Sequence, residues 1–327
     1  FSGHGSAIAQ PYNHMILPLA NTADRTTQIL WGIRDFRHRF DRAPEGMWLP
    51  EAAVDLETLS LMAEMGITFT ILSPHQANRV RPVGVDSWSD VSDGSIDPRM
   101  PYVQRLAEDL SMAIFFYDGP ISRDVAFNGL LNNGEAFAGR LLAAFEEGRD
   151  DNQLVHIATD GETFGHHHRY GDMALAYALE KIDSGNSARL TNYGEFLEKQ
   201  PPTWEVEIKE NTAWSCSHGV ERWKSDCGCQ SGRRPDWNQS WRGPLRNALD
   251  WLRDALAEAF VENSRDLFAD PWQARDDYID VILDRSPEEV CVVAAQDERG
   301  GQPARLRSMG GGDALRTTRT RLGERRP

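Results

Sequence analysis

The stretch GMWLPEAAVDLETLSLMAEMGITFTIL, residues 46–72, decides the predicted fold because it holds a strand, a helix and a second strand in one run. Residues 46–50 are apolar and end at a proline, which predicts a short buried strand. Asp55 begins a helix that Gly66 ends as a C-cap. The β-branched run 67–72 precedes Ser-Pro and predicts the second strand. Nearly continuous apolar strands around a helix are typical of a parallel sheet covered on both faces.

The same alternation continues on both sides of this stretch. Asn21 or Thr22 caps an upstream helix whose apolar residues recur at helical spacing. Further strands are predicted at 112–117, 154–159 and 204–208, and helices within 127–147 and at 172–182, 244–262 and 272–284. The predicted fold class is α/β, a closed or partly closed β/α barrel. The predicted domains are a barrel over residues 1–210, a Cys- and Trp-rich loop with a helical region over 211–290, and a disordered or aberrant tail over 291–327.

A break in composition predicts the tail. Residues 297–327 hold eight Arg, no Lys and four acidic residues, and apolar periodicity is lost there. The alternative is a basic arm that binds an acidic partner.

Composition also excludes several classes of protein. A net charge of −15 over 327 residues argues against a nucleic-acid binder, which needs a basic face. No run approaches eighteen apolar residues, so we expect no segment that spans a membrane. Four cysteines are too few for a disulfide scaffold of this size, which favours a reducing compartment and a cytoplasmic protein.

Two carboxylates follow predicted strands at the end where β/α barrels carry their active sites. Glu51 follows the strand at 46–50, and Asp160 follows the strand at 154–159. The apolar residues before each acid favour partial desolvation, which separates the two carboxyl pKa values. Glycoside hydrolysis uses two carboxyl groups with different pKa values: one attacks or stabilises the anomeric carbon, and the other protonates the leaving oxygen. The alternative is that each acid binds a helix N-terminus.

Other polar and aromatic residues around these acids suit sugar hydroxyls and sugar faces. The candidate substrate-binding residues are His14, Trp48, Glu162, His166, Trp214 and His218, with His167, His168 and Arg222 beside them. In the triple-histidine run, adjacent side chains on an extended segment point to alternate faces, so at most two of the three rings converge on a metal.

Three thiols and an imidazole lie within one short loop. Cys216, His218, Cys227 and Cys229 form a Cys₃His set that suits zinc chemically, but their spacing lacks the usual C-x₂-C pairs. They are candidate metal ligands, and the alternative is that the thiols only pack the loop.

The sequences at 46–51 and 160–166 resemble the third and fourth motifs of glycoside hydrolase family 57, which includes α-amylases, 4-α-glucanotransferases and α-glucan branching enzymes. The resemblance implies that Glu51 is the nucleophile and Asp160 the acid/base. Residues 10–19 look like the second motif, in which His14 would be a substrate-site residue.

The resemblance covers about residues 5–285 and implies an incomplete (β/α)₇ barrel followed by helices. It also implies a retaining mechanism on α-linked glucans and no cofactor. The chain looks similar to the uncharacterised bacterial branch of the family with an extra C-terminal domain. Two motifs depart from the pattern: the first would lie upstream of residue 1, so we expect the first barrel strands to be missing, and residues 214–223 replace the fifth.

The resulting hypothesis is a retaining glycoside hydrolase or transglycosylase that acts on oligo- or polysaccharides of α-linked glucose, without nucleic-acid or membrane partners. One alternative is a metal-dependent polysaccharide deacetylase in which Asp160 and the histidine cluster hold zinc. Another alternative is a non-catalytic glucan-binding protein.

Overall fold

The computed structural model describes residues 2–107, 109–229, 234 and 236–286. Over these residues the helices are α1 Thr22–Phe40, α2 Leu56–Glu64, α3 Gly119–Phe127, α4 Gly134–Leu142, α5 Gly171–Ser184, α6 Tyr193–Lys199, α7 Arg242–Ser264 and α8 Pro271–Leu283. The strands are β1 Phe69–Leu72, β2 Ala77–Pro82, β3 Ser89–Asp90, β4 Tyr102–Arg105, β5 Ser111–Phe116 and β6 Trp204–Ile208. The predicted tail at 291–327 lies outside the described residues. The chain divides into two compact units, residues 1–252 and residues 253–327.

Parallel segments hydrogen-bonded side by side build one wall of the first unit. Ala9 bridges to Met47, and Gly46 bridges to Phe69 at the start of β1, both in the parallel sense. β1 then pairs in parallel with β5 over four residues. Because neighbouring parallel segments run in one direction, their carboxyl ends meet at one edge of the wall. We call this edge the carboxyl edge.

The segment 154–159 lies at the end of this wall but is not the strand that its sequence predicts. The Asp118 amide after β5 donates to the His156 carbonyl at 2.9 Å, which places the segment beside the end of β5. The Ala158 amide donates to the Ser122 hydroxyl at 3.1 Å. The backbone therefore bonds to the residue that caps α3 and to a side chain, and within the described residues it forms no strand ladder.

The other strands make the sheet mixed, where the sequence predicts a parallel one. The strand order is β1-β5-β4-β6-β2-β3, and β5 with β4, β6 with β2 and β2 with β3 pair antiparallel. Ion pairs cross between β2 and β6 at matching register, Arg79 to Glu207 at 2.6 Å and Arg81 to Glu205 at 2.7 Å. Charged partners on facing strands support this part of the sheet.

The predicted helix caps of α1 and α2 are confirmed. The Asn21 side chain accepts from the Asp24 amide, and the Asp55 side chain accepts from the Thr58 amide, each at 2.8 Å. Asp55 also binds the buried Arg25 guanidinium at 3.2 Å, so one carboxylate joins the two helices. A cap bond satisfies a backbone donor that the helix itself leaves unpaired.

Helix α1 holds the segment 10–14 at very short range. A Cβ at Gly32 would lie 2.0 Å from the Gln10 carbonyl oxygen, so only glycine fits there. The Gln28 side chain accepts from the Asn13 amide at 2.7 Å and donates to the Asn13 side chain at 3.1 Å. These contacts fix the backbone next to His14.

The described part of the second unit contains the end of α7 and all of α8. The rings of Phe260 and Trp272 lie 5.4 Å apart, Arg275 stacks over Trp272 at 4.4 Å, and Ile279 is fully buried. None of the helices in the described part of the chain combines the length and apolarity needed to cross a membrane.

Candidate active site

Glu51 lies in a tight turn at the carboxyl edge. The predicted strand at 46–50 is reduced to two single bridges, because a 3₁₀ turn begins at Pro50, which has no amide proton for a ladder. Glu51 and Ala52 both adopt left-handed backbone, with φ of 59° and 47°. Such conformations are costly for residues with a Cβ and persist only where the surroundings hold them.

The segment 211–214 holds this turn in place. The Trp214 amide donates to the Glu51 carbonyl at 3.0 Å. The Val54 amide donates to the Thr212 carbonyl at 3.1 Å, and the Asn211 amide donates to the Val54 carbonyl at 2.8 Å. Three backbone hydrogen bonds thus tie the Glu51 turn to residues about 160 positions later in the chain.

The Glu51 carboxylate meets two of the predicted substrate-site residues. The Trp214 indole N–H donates to Oε2 at 3.1 Å, and His14 Nε2 lies 3.7 Å from Oε1. The Glu51 side chain is 29% exposed and the His14 side chain is 72% exposed. The carboxylate is therefore partly desolvated and still open to a ligand. An N–H bond to one oxygen leaves the other available for chemistry.

An aromatic group surrounds the Trp214 indole. Trp48 meets it edge-on with ring centres 5.0 Å apart, and Tyr117 does so at 6.2 Å. Burial raises the pKa of the Tyr117 phenol, and its hydrogen bond with Ser73 acts in the opposite direction. Sequence reasoning missed Tyr117, although it is the last residue of the predicted strand at 112–117. Edge-on packing fixes the orientation of the indole that binds Glu51.

Asp160 follows the 154–159 segment and opens a short 3₁₀ turn, Gly161–Thr163. Its side chain is exposed and does not cap that turn. The turn itself is fixed, because the Thr159 and Thr163 hydroxyls hydrogen-bond at 2.9 Å and Thr163 is buried. Within the described residues no hydrogen bond or ion pair joins Asp160 to Glu51.

The histidine run forms a turn rather than an extended segment. The His166 and His167 amides both donate to the Glu162 carbonyl, at 3.1 and 2.9 Å, and their rings lie 5.0 Å apart. The His168 ring bonds to the Ala126 carbonyl at 2.9 Å. In the described part of the chain these histidines do not join Asp160 in a metal-binding group. Glu162 and His166 are exposed, and their roles stay predictions.

His156 is a buried group that sequence reasoning missed. Its ring nitrogens bond to the Tyr193 hydroxyl at 2.9 Å and to the Pro98 carbonyl at 3.2 Å. Desolvation lowers the pKa of His156 to about 4, against the opposing effect of the Pro98 and Phe116 hydrogen bonds. The neutral ring donates from Nε2 to Pro98 and accepts from Tyr193 at Nδ1. His156 therefore anchors the segment that leads to Asp160.

The remaining candidates lie in the loop after Trp214. His218 Nδ1 faces two sulfur atoms, 3.3 Å from Cys229 and 3.8 Å from Cys216. The Arg222 guanidinium donates to the Ser215 carbonyl at 3.4 Å. The structure thus groups His218 with the cysteines.

Two family models match the chain. The model described as glycosyl hydrolase family 57 matches residues 2–209, and the model described as a domain of unknown function, DUF3536, matches residues 237–302. The first match covers most of the chain. The second agrees with the extra C-terminal domain that the sequence predicts. No curated protein gives a match.

Solved structures with the same fold are distant in sequence. An exo-type maltose-forming amylase from Pyrococcus sp. ST04 has 16% identity and a TM-score of 0.62, with 89% of this chain and 50% of that chain covered. A branching enzyme from Pyrococcus horikoshii has 18% identity and a TM-score of 0.55, with 68% and 50% covered. A branching enzyme from Thermococcus kodakaraensis has 17% identity and a TM-score of 0.56, with 89% and 65% covered.

This chain spans about half the length of the first two of these proteins. At such low identity the likeness shows the fold, which is an incomplete (β/α)₇ barrel followed by a helical region. Since the family model covers almost two thirds of the sequence, the chain belongs to glycosyl hydrolase family 57.

Proposed function

We propose that the chain carries the catalytic site of a retaining enzyme that cleaves or transfers α-linked glucans. Glu51 is the nucleophile, and Asp160 is the acid/base. Support comes first from Glu51: its carboxylate is partly exposed at the carboxyl edge and accepts the Trp214 indole N–H at 3.1 Å. The solved relatives named above are an amylase and branching enzymes, which fits this substrate class.

The first step forms a bond from a Glu51 oxygen to the anomeric carbon. The bond from that carbon to the departing oxygen breaks, and protonated Asp160 gives its proton to that oxygen. A β-linked glycosyl ester on Glu51 and a shorter glucan result. In this proposal His14, whose Nε2 lies 3.7 Å from Glu51 Oε1, contacts the sugar bound beside Glu51.

In the second step the Asp160 carboxylate takes a proton from water or from an acceptor sugar hydroxyl. The oxygen of that group attacks the anomeric carbon and displaces Glu51, so the product keeps the α configuration. Water gives hydrolysis, and a sugar gives transfer. Retaining chemistry needs the two carboxyl groups about 5–5.5 Å apart in the working complex.

The Glu51 assignment is tested by trapping the ester. The chain is incubated with 5-fluoro-α-glucosyl fluoride, and its peptides are analysed by mass spectrometry. We expect label on the peptide that holds Glu51, no label in Glu51→Gln, and full label in Glu64→Gln, an exposed glutamate on α2. Label on another residue, or an unlabelled chain that also fails to process maltoheptaose, contradicts the proposal.

The Asp160 assignment has a separate signature. Fluoride leaves without protonation, so Asp160→Asn should still form the ester from the fluoride while losing turnover of maltoheptaose by about 10²-fold or more. Equal loss on both substrates would remove Asp160 from the acid role.

Product analysis with maltoheptaose, glycogen and an α-galactoside then distinguishes hydrolysis from transfer and identifies the sugar that is cleaved. Binding of maltoheptaose with no change in linkage would favour a glucan-binding protein.

A further inference from the structure

Four side chains of the loop after Trp214 converge on one point. The donor atoms of Cys216, His218, Cys227 and Cys229 all lie within 4.8 Å of one another, and no other such group occurs in the described part of the chain. The Cys216 and Cys229 sulfurs are 3.5 Å apart, and all three cysteines are free. A tetrahedral zinc with ordinary bond lengths spaces its sulfur and nitrogen ligands about 3.5–3.8 Å apart. The set is therefore arranged much as zinc would require.

Simple packing does not account for this cluster. Only Cys216 is buried, whereas Cys227 and Cys229 are partly exposed and His218 is exposed. Thiols that merely fill a core are buried. Exposed thiols gain little from one another, but as thiolates they are strong ligands for a soft cation.

Donors around the sulfurs suit bound thiolates. The Arg242 guanidinium donates to the Cys227 sulfur at 3.7 Å, and the His218 amide donates to the Cys216 sulfur at 3.4 Å. A zinc ion with three thiolates and one neutral imidazole carries one net negative charge, which Arg242 offsets. Outer donors of this kind orient the ligands of metal sites.

Beyond the contacts of residues 211–214, the apolar support of the loop is small. It is a cluster of three buried residues, Ala53, Ala213 and Val220, against which Ile16, Leu19 and Trp223 pack partly buried. The backbone of the loop is unusual at Gly219, where φ is +60° and a Cβ would lie 2.1 Å from the Asn211 carbonyl oxygen. Gly228 has a φ of +80° and turns the chain between Cys227 and Cys229. Small segments that lack a core often depend on a metal to fold.

We propose that Cys216, His218 through Nδ1, Cys227 and Cys229 bind a structural zinc ion. Four protein ligands close the coordination sphere, which is the arrangement of structural sites. The ion orders the loop 211–229. This loop begins with the segment 211–214, which holds the Glu51 turn.

The test uses the whole 327-residue chain, made in zinc-supplemented medium and purified without chelators or nickel. We expect about one zinc ion per chain by inductively coupled plasma mass spectrometry. Cys229→Ser and His218→Ala should each carry less than about a tenth of that amount. His38→Ala, which removes an exposed histidine from α1, should keep all of it. None of these readouts depends on glycosidase activity.

A second measurement uses the wild-type chain, so its result does not depend on whether a variant folds. Zinc is removed from the wild-type chain with a chelator under reducing conditions, and Co²⁺ or Zn²⁺ alone is added back. Co²⁺ should give a thiolate charge-transfer band and the intense visible bands of tetrahedral coordination. Zn²⁺ should slow hydrogen exchange at the amides of Trp214, Val220 and Val54, which bond within or across the loop.

Either of two results overturns the proposal. The first is a reduced wild-type chain that holds no stoichiometric zinc and shows no thiolate band with Co²⁺. The second is zinc content that Cys229→Ser and His218→Ala leave equal to that of His38→Ala.

Discussion

Trp214 makes the only hydrogen bond to the Glu51 carboxylate among the described residues, and it comes from 163 positions along the chain. Sequence reasoning identified Glu51 from its strand-end position and motif resemblance, and Trp214 as a residue type suited to sugar contact, but it did not identify the contact between them. It also missed the left-handed backbone at Glu51 and Ala52, because neither is a residue type that signals positive φ. Contacts between distant segments impose this conformation, and local propensity does not encode them.

Trp214→Phe tests the contact directly. Phenylalanine keeps an aromatic ring against Trp48 but removes the N–H, so Glu51 loses a bond of the kind that is worth about 1.5–3 kcal/mol. Because the indole orients the carboxylate for attack, its loss should lower kcat/KM on maltoheptaose about 10- to 100-fold. Trp251→Phe, at a tryptophan that is 71% exposed, is the matched control and should leave kcat/KM unchanged. Equal values for both variants would contradict the role given to the indole.

At the scale of elements, the caps of α1 and α2 differ in what they hold. Asn21 makes a cap bond alone, so Asn21→Ala should lower the free energy of unfolding by about 1 kcal/mol. Asp55 also pairs with Arg25, whose side chain is only 4% exposed and which keeps Glu57 as a second partner at 3.0 Å, so Asp55→Ala should cost about 2 kcal/mol. Urea unfolding measures both. Equal losses would show that the Arg25 pair contributes nothing.

Helices α1 and α2 were predictable because their apolar residues recur at helical spacing, and the strands β1, β5 and β6 because they are short runs of strand-forming residues. β2 was not, since its sequence Ala-Asn-Arg-Val-Arg-Pro has the composition of a loop. Its strand character depends on pairing with β6, where Arg79 and Arg81 meet two glutamates. For residues 154–159 the prediction of a strand was wrong. The segment has the composition of a strand, but its amides donate to partners outside a strand ladder.

At the scale of the whole molecule, His156 makes stability depend on pH. Its pKa is about 4 in the folded chain, below the ordinary value of 6.5, so the unfolded chain binds a proton that the folded chain excludes. The stability that depends on neutral His156 is complete above about pH 6.5. It declines as the pH falls to 4, by about 3 kcal/mol in all.

Urea unfolding of the wild type and of His156→Gln from pH 8 to pH 5 measures this effect. Glutamine is neutral throughout, so the difference between the two chains should narrow as the pH falls. The free energies of unfolding of the two chains are subtracted because His4 changes stability with pH in the opposite sense. Hydrogen bonds to Glu45 and Glu198 raise the pKa of His4, so the stability that His4 contributes is lost as the pH rises. A difference that stays constant with pH would show that His156 does not resist protonation.

Gly32 gives a way to sort related sequences. A glycine inside a helix lowers helix stability by roughly 0.5–1 kcal/mol relative to alanine, yet here a single added carbon would collide with the Gln10 carbonyl. The absence of a side chain at Gly32 therefore allows the close distance between α1 and the segment that contains His14. A homologue with alanine or a larger residue at this position must widen that gap, which would change the distance between its imidazole and the carboxylate that corresponds to Glu51. Inspection of one alignment column would therefore distinguish members that share this arrangement of His14 and Glu51 from members that do not.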